Sequence, residues 1–475
     1  MPEQETTIRA LARWVSAHRT EALPAPMIEQ AKLLILDTIG CAVAALGEHE
    51  ARATVEAVTA LGGAPQSTVI GVPGKSSVPN AVLANGALLR FLDLNDYLVD
   101  FDADGIAMGG HPSDNIAVAL AAGEWRDRPG AEVLAAVAIG YEIYGRMKNL
   151  IDPAGPWDGT SASGMAAPAM AGRLMGLDEG RLAHALALGV ARAATPAVMR
   201  AGDISAGKYL ANALIAQSGV QAAMLAAGGV TGPLEALDHA RGLGTVFRPD
   251  RDFSILTRPL PEDGALMRSH VKAFPCLATG QTAVAAAIRI HHMLRGRTDA
   301  IERINVTMAD TSVIRRQQTD PGRLDPTSRE AADHSFPFLV AVALADGRLT
   351  PRQFDHERWN ERAIRALMAR TTLATDPALN EAGERGHPCV VRVVTRDGTE
   401  HVAEELEMPG SAAGGIDRPA VLDKFDALAS DALGAGRRDM VKDSALGLER
   451  LSSIRPLMAA LGAGARLDST ARGRS

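Results

Sequence analysis

Alanine-rich stretches that place apolar side chains at helical spacing, often on more than one face, constrain what this chain can fold into. After Pro24 and Pro26, the residues Ile28, Ala31, Ile35, Ile39 and Ala42 recur three or four positions apart, and Gly47 supplies a stop. Comparable segments follow near 52–62, 78–91, 114–126, 131–149, 161–175, 178–194, 207–227 and 232–240. A helix that is apolar on several faces must be surrounded by other helices. Small side chains also let such helices approach closely. The expectation is a mainly α protein with a large all-helical domain over residues 1–265.

The pattern changes near Phe253, where Pro259, Pro261 and Gly264 break the helical period. A helix is expected near 279–295, followed by Ile301-Glu-Arg-Ile-Asn-Val-Thr-Met, which alternates as a strand does. Helices near 328–346 and 351–371 come next. Cys389-Val-Val-Arg-Val-Val-Thr and Glu400-His-Val-Ala-Glu-Glu-Leu flank Asp397-Gly398, a hairpin signal because glycine accepts the positive φ of a tight turn. Residues 266–408 therefore read as a smaller α+β domain. Ala420 to Leu433 and Asp443 to Leu461 return to helical spacing, so 409–475 is expected to rejoin the helical domain, with a frayed end.

Composition excludes several functions. Apolar residues make up 47% of the 475 and aromatics only 4%, so the core must be built from Ala, Leu, Val and Ile. A net charge of −7 without a basic run gives nucleic acid nothing to bind, and an anionic ligand would need local cations. Cys41, Cys276 and Cys389 are too scattered for a disulfide framework or a zinc site. No signal-peptide pattern is evident, and the longest apolar run, Leu33 to Leu46, is interrupted by Asp37 and too short to span a bilayer. A cytoplasmic protein with no membrane partner is the expectation.

One polar stretch stands out among the helices. It opens Asp93-Leu-Asn-Asp-Tyr and closes Gly109-Gly-His-Pro-Ser-Asp-Asn115. Ser113 or Asp114 is the expected N-cap of the helix that follows, which puts His111 just ahead of a helix N-terminus. Partial positive charge there favours a neutral imidazole, suited to a general base acting on an acidic substrate. Asp100, Asp102 and Asp104 in the intervening link resemble a calcium loop in spacing but lack its bidentate glutamate, so a solvated loop is the better reading. No phosphate-binding glycine motif is present, and the adjacent His291-His292 point apart.

These motifs resemble those of the 2-methylcitrate dehydratase family, also called MmgE/PrpD. The likeness rests on Asp93-Leu-Asn-Asp-Tyr with His111-Pro-Ser-Asp-Asn, on Lys272-Ala-Phe-Pro-Cys followed by Gln281-Thr-Ala-Val, and on the run from Ser328 to Thr350. It implies a helical domain joined to an α+β lid, a cleft between them, a homodimer, and cofactor-free, metal-free lyase chemistry on small carboxylates. His111 is the candidate base and Asp93 the group that orients it or shuttles a proton, with Asp96 a weaker candidate. Lys208, where the resemblance implies an active-site lysine, and Lys272 are expected to hold carboxylates. Arg200 is a further clamp, since a guanidinium fits a carboxylate bidentately. Asp158 stands in Pro156-Trp-Asp-Gly-Thr at a position where cis-aconitate decarboxylase-like members carry histidine. They also carry histidines at the positions of Arg90, Leu277 and Gln281. His334, with Asp333, adjoins a buried helix, and capping and packing are the better reading for both. Dehydration of a hydroxylated tricarboxylate is the expected reaction. Decarboxylation or epimerisation at the same carbon is the alternative, and a non-catalytic carboxylate-binding protein is the reading from another class.

Overall fold

The computed structural model describes residues 5–18, 23–99, 109–152, 155–200, 204–247, 252–380, 386–412 and 415–464. The fold is mainly α, with only small sheets. The N-terminal part comprises α1 (Thr7–Ala17), α2 (Ala25–Ala45), α3 (His49–Ala60), α4 (Val78–Phe91), α5 (Ile116–Trp125), α6 (Gly130–Asn149), α7 (Ser163–Met175), α8 (Glu179–Gly189) and α9 (Gly207–Ala227). As their all-round apolarity requires, α2, α4 and α5 are buried along nearly their whole length. Helix α9 has the length and apolarity of a membrane span, but here it packs against α4, α7 and α8. Small side chains make that packing close. A Cβ added at Gly86 of α4 would come within 2.9 Å of the Ala213 side chain, and one at Gly219 within 2.7 Å of Ala167.

A four-stranded sheet orders Thr371–Asp376, Ile301–Ala309, Cys389–Thr395 and Glu400–Glu405, with the first pair parallel and the others antiparallel. Ile304, Val306 and Met308 alternate inward with Val391, Val393 and Ala403, and join a core with the helices Gln281–Leu294 and Phe336–Asp346. The Asp397-Gly398 turn forms as read. Gly398 takes φ +82°, and the Asp397 carboxylate accepts from the Thr399 amide at 3.0 Å.

Several elements differ from the sequence reading. Residues 232–240 form turns, because the chain folds straight back, with the Leu243 amide donating to the Ala236 carbonyl at 2.8 Å. Ala236 and Leu237 reach the core without a helix. The 328–346 segment is two helices, Arg329–Ala332 and Phe336–Asp346, parted at Asp333, His334 and Ser335. Ser335, not Asp333 or His334, caps the second, its hydroxyl accepting from the Phe338 amide at 3.3 Å. Beyond Pro351 the chain is a 3₁₀ turn broken at Asp355–Glu357, then the helix Arg362–Met368 and the parallel edge strand Thr371–Asp376, where a single helix was expected.

The tail forms the helices Arg418–Leu433, Ala435–Leu446 and Arg455–Gly462. Val421, Phe425, Ala429 and Leu433 share the core of α2, so the tail packs into the same apolar cluster as that early helix.

Candidate active site

The site forms where α4 ends. Asp93 follows with φ +48°, a left-handed conformation that costs a residue with a Cβ about 1 kcal/mol or more. Two ties then fix the stretch. Tyr97–Leu98 pairs antiparallel with Ser269–His270, and Leu98 bridges Gly110. The first sets Lys272 beside Asp93, and the second brings His111 back toward Asp96.

Three cations converge on the Asp93 carboxylate. Arg90, one turn earlier in α4, and Lys272 both reach Oδ1, while the Lys208 ammonium lies 3.0 Å from Oδ2. Lys272 also donates to the Asp93 carbonyl at 3.0 Å. Burial would raise the carboxyl, but these charges overcome it and hold Asp93 well below the usual carboxylate range. Burial, partly offset by Asp93, lowers the Lys272 ammonium. The Lys208 side chain is fully buried.

Lys208 spans to a second carboxylate, 3.1 Å from Asp333 Oδ1, whose other oxygen accepts from the Tyr209 hydroxyl at 3.1 Å. His334 Nδ1 faces Asp333 and lies 3.2 Å from the Lys208 ammonium; burial and that charge lower its pKa to about 4. Asp93, Asp333 and His334 bring ligand atoms within 4.8 Å of one another, a spacing that suits a cation. The Lys208 ammonium already makes contact with all three, so these residues do not fit a metal.

His111 occupies a different environment. Its Nδ1 lies 2.6 Å from the Asp96 carbonyl, an acceptor that fixes the proton on Nδ1 and leaves Nε2 with its lone pair. Its backbone amide donates to the Tyr144 hydroxyl at 3.2 Å. Burial, with the charges of Arg90 and Lys272, lowers the imidazole well below its ordinary pKa. The ring is therefore neutral, chiefly through desolvation. Asp93 does not orient it; that role falls to the main chain of Asp96. Neither Ser113 nor Asp114 caps α5 through its side chain. The Ser113 hydroxyl instead donates to Asp96 Oδ1, and Asp114 Oδ1 accepts from Asn95 at 2.7 Å. Burial, against the pull of Ser113, pushes Asp96 up to about 7.

Arg200 and Asp158 pair with each other, Nε to Oδ2 at 2.8 Å. Asp158 also caps the following turn through the Thr160 amide at 2.9 Å. Burial would raise Asp158, but Arg200 and Thr160 outweigh it and lower the carboxyl. Arg200 stays one-quarter exposed and acts electrostatically on His111. Asp100, Asp102 and Asp104 lie outside the described residues. Sequence reasoning missed Arg90 as a partner of Asp93, the Asp333 carboxylate as the far end of Lys208, and the tyrosines 144 and 209. Only Asp333 carried a signal, its place in a motif block.

The MmgE/PrpD N-terminal domain matches residues 9–256, and the MmgE/PrpD C-terminal domain matches residues 274–450. The chain belongs to the MmgE/PrpD family. Among curated relatives, it is similar to cis-aconitate decarboxylase of Mus musculus, 26% identical over 90% of this chain and 87% of that protein. It is also similar to 2-methylcitrate dehydratase of Escherichia coli (strain K12), 25% identical over 84% and 85%, and of Cupriavidus necator, 27% identical over 78% and 79%. These MmgE/PrpD relatives are lyases of two kinds, dehydratase and decarboxylase, which supports an enzyme here at that level.

Proposed function

We propose that this protein is a lyase that removes a proton from carbon next to a carboxylate, with dehydration of a hydroxylated tricarboxylate such as 2-methylcitrate as its reaction. The observation that carries the reading is a neutral, buried His111, its Nδ1 proton directed to the Asp96 carbonyl, in the same site as desolvated cations around Asp93. In this mechanism His111 Nε2 takes the proton and the C–H electron pair is held as an enolate-like anion; that pair then forms the new double bond as the C–O bond breaks. The hydroxyl leaves as water with a proton from Lys272, whose pKa burial has lowered. Arg200, one-quarter exposed, holds a substrate carboxylate, and the positive charge of Lys208, itself bonded to Asp93 and Asp333, stabilises enolate-like charge from behind. Asp93 holds the two lysines in place.

Decarboxylation is the second reading, since relatives of both names match at similar identity. It begins from the same anion-binding groups and breaks C–C in place of C–O. Proton NMR in deuterated buffer, with 2-methylcitrate, citrate and cis-aconitate offered separately, tests both. An unsaturated product from 2-methylcitrate supports dehydration, and loss of a carboxylate from cis-aconitate supports decarboxylation. Deuterium entering recovered substrate without net product points to epimerisation. Ligand-induced thermal stabilisation with no turnover would leave a carboxylate-binding protein.

A further inference from the structure

Lys424 lies in the tail helix Arg418–Leu433, far from the catalytic motifs in sequence, yet it reaches the active-site stretch. Its ammonium donates to the Leu94 carbonyl at 2.7 Å and stands 2.6 Å from the carboxylate of Asp37 in α2. The approach depends on Gly40, one turn beyond Asp37, where an added Cβ would come 3.2 Å from the ring of Phe425. Without a side chain there, the tail helix closes on α2 and Lys424 threads inward. Asp37 is fully buried, and burial raises its carboxyl even against the lowering pull of Lys424.

The bonded carbonyl belongs to the residue after Asp93, the one whose backbone is held left-handed. A strained conformation persists only where its surroundings over-determine it. On one side Lys272 grips the Asp93 carbonyl; on the other, Lys424 grips the next carbonyl along. The same short stretch leads to Asp96, whose own carbonyl fixes the His111 tautomer.

We propose that Lys424 is a positioning residue, a brace from the C-terminal helix that pins the Leu94 carbonyl and thereby sets both the Asp93 carboxylate and the Asp96 carbonyl that orients His111. Its role in turnover rests on the lyase reading; its role in ordering the stretch does not. Asp37 serves as the counter-charge that lets an ammonium be buried at this depth.

The test separates brace from counter-ion. Lys424→Met removes the donor and leaves Asp37 uncompensated, so the fold should weaken. The double variant Asp37→Asn/Lys424→Met removes both charges and should recover most of the thermal midpoint. It still lacks a donor to Leu94. Its amides over residues 92–99 should therefore exchange with deuterium about ten-fold faster than in the unaltered protein, with protection elsewhere unchanged. With whichever carboxylate the unaltered protein turns over, kcat should fall about ten-fold or more while KM changes less. Asp37→Asn alone keeps the Leu94 bond and should keep loop protection, which serves if the double variant does not fold. Normal exchange over 92–99 in the double variant, or faster exchange with undiminished kcat, overturns the proposal. If no carboxylate is turned over by the unaltered protein, the lyase reading fails while the exchange measurement still decides the brace.

Discussion

Asp93 and Asp96 stand three residues apart in one stretch and are equally buried, yet their carboxyls move in opposite directions. Asp93 is held well below the ordinary range and Asp96 is pushed up to about 7. Burial acts on both alike. The difference lies in partners: Asp93 has Arg90, Lys208 and Lys272 against its carboxylate, while Asp96 has the neutral Ser113 hydroxyl. One side of the site is thus a fixed charge and the other holds a carboxyl raised toward neutrality beside a histidine. The same cations that would stabilise a developing anion also act on His111, and with burial they keep the base neutral.

The sharpest probe of the neutral side is His111→Ala. It should lower turnover by about 10²–10⁴-fold while tricarboxylate binding and thermal stability largely survive, as calorimetry and melting curves would show. Retained turnover would remove His111 as the base. On the charged side, Asp93→Asn leaves three buried cations without their shared carboxylate. It should destabilise the fold by about 3–5 kcal/mol in denaturant titrations. A variant as stable as the original would mean that the cluster relaxes or hydrates freely.

Lys272→Met should separate the two halves of the reaction. Solvent deuterium should still enter the substrate, while alkene formation falls by about 10²-fold. Equal loss of both signals would assign Lys272 to binding.

The smallest effect is expected at Asp96, and it depends on pH. Its folded pKa of about 7 lies above the unfolded value of roughly 3.9, so the folded state binds more protons between those limits. Its contribution to stability is fully present below about pH 4 and is lost as pH rises through about 7. Asp96→Asn should therefore show little change near pH 4 and a gain in denaturant resistance that grows from there to pH 8. Asp93 behaves in reverse, its contribution present above roughly pH 4 and lost as pH falls through its depressed folded value. A loss of stability at pH 8 in Asp96→Asn would show that the carboxylate form makes bonds the amide cannot.

Most helices were legible because a buried helix needs apolar residues every three to four positions, and α2, α4, α5, α6 and α9 have them. The hairpin was legible from Asp397-Gly398. The edge strand Thr371–Asp376 was not. It pairs in parallel with Ile301–Ala309 across some 70 residues, and no short-range turn chemistry announces such a pairing. Residues 232–240 carried helical spacing and still folded as turns, because Ala236 and Leu237 found the core by a tertiary route.

The candidate site divides the same way. Asp93, His111, Lys208 and Lys272 could be named from local motifs, since each lies in a stretch whose residue types suit acid–base and anion chemistry. Their partners could not. A lysine in a helix's first turn looks solvated until α9 is buried and Asp333 arrives from beyond a helix break. The sequence by itself determined the helical frame, the α+β character of residues 266–408 and the inventory of chemical groups, all of which follow from periodicity and residue type. Only the tertiary structure decided which carboxyl is lowered and which is raised, that the Asp96 carbonyl and not Asp93 orients His111, and that Lys424 reaches Leu94. Each of those depends on desolvation and on charges less than 4 Å apart, which arise only once distant segments are packed together.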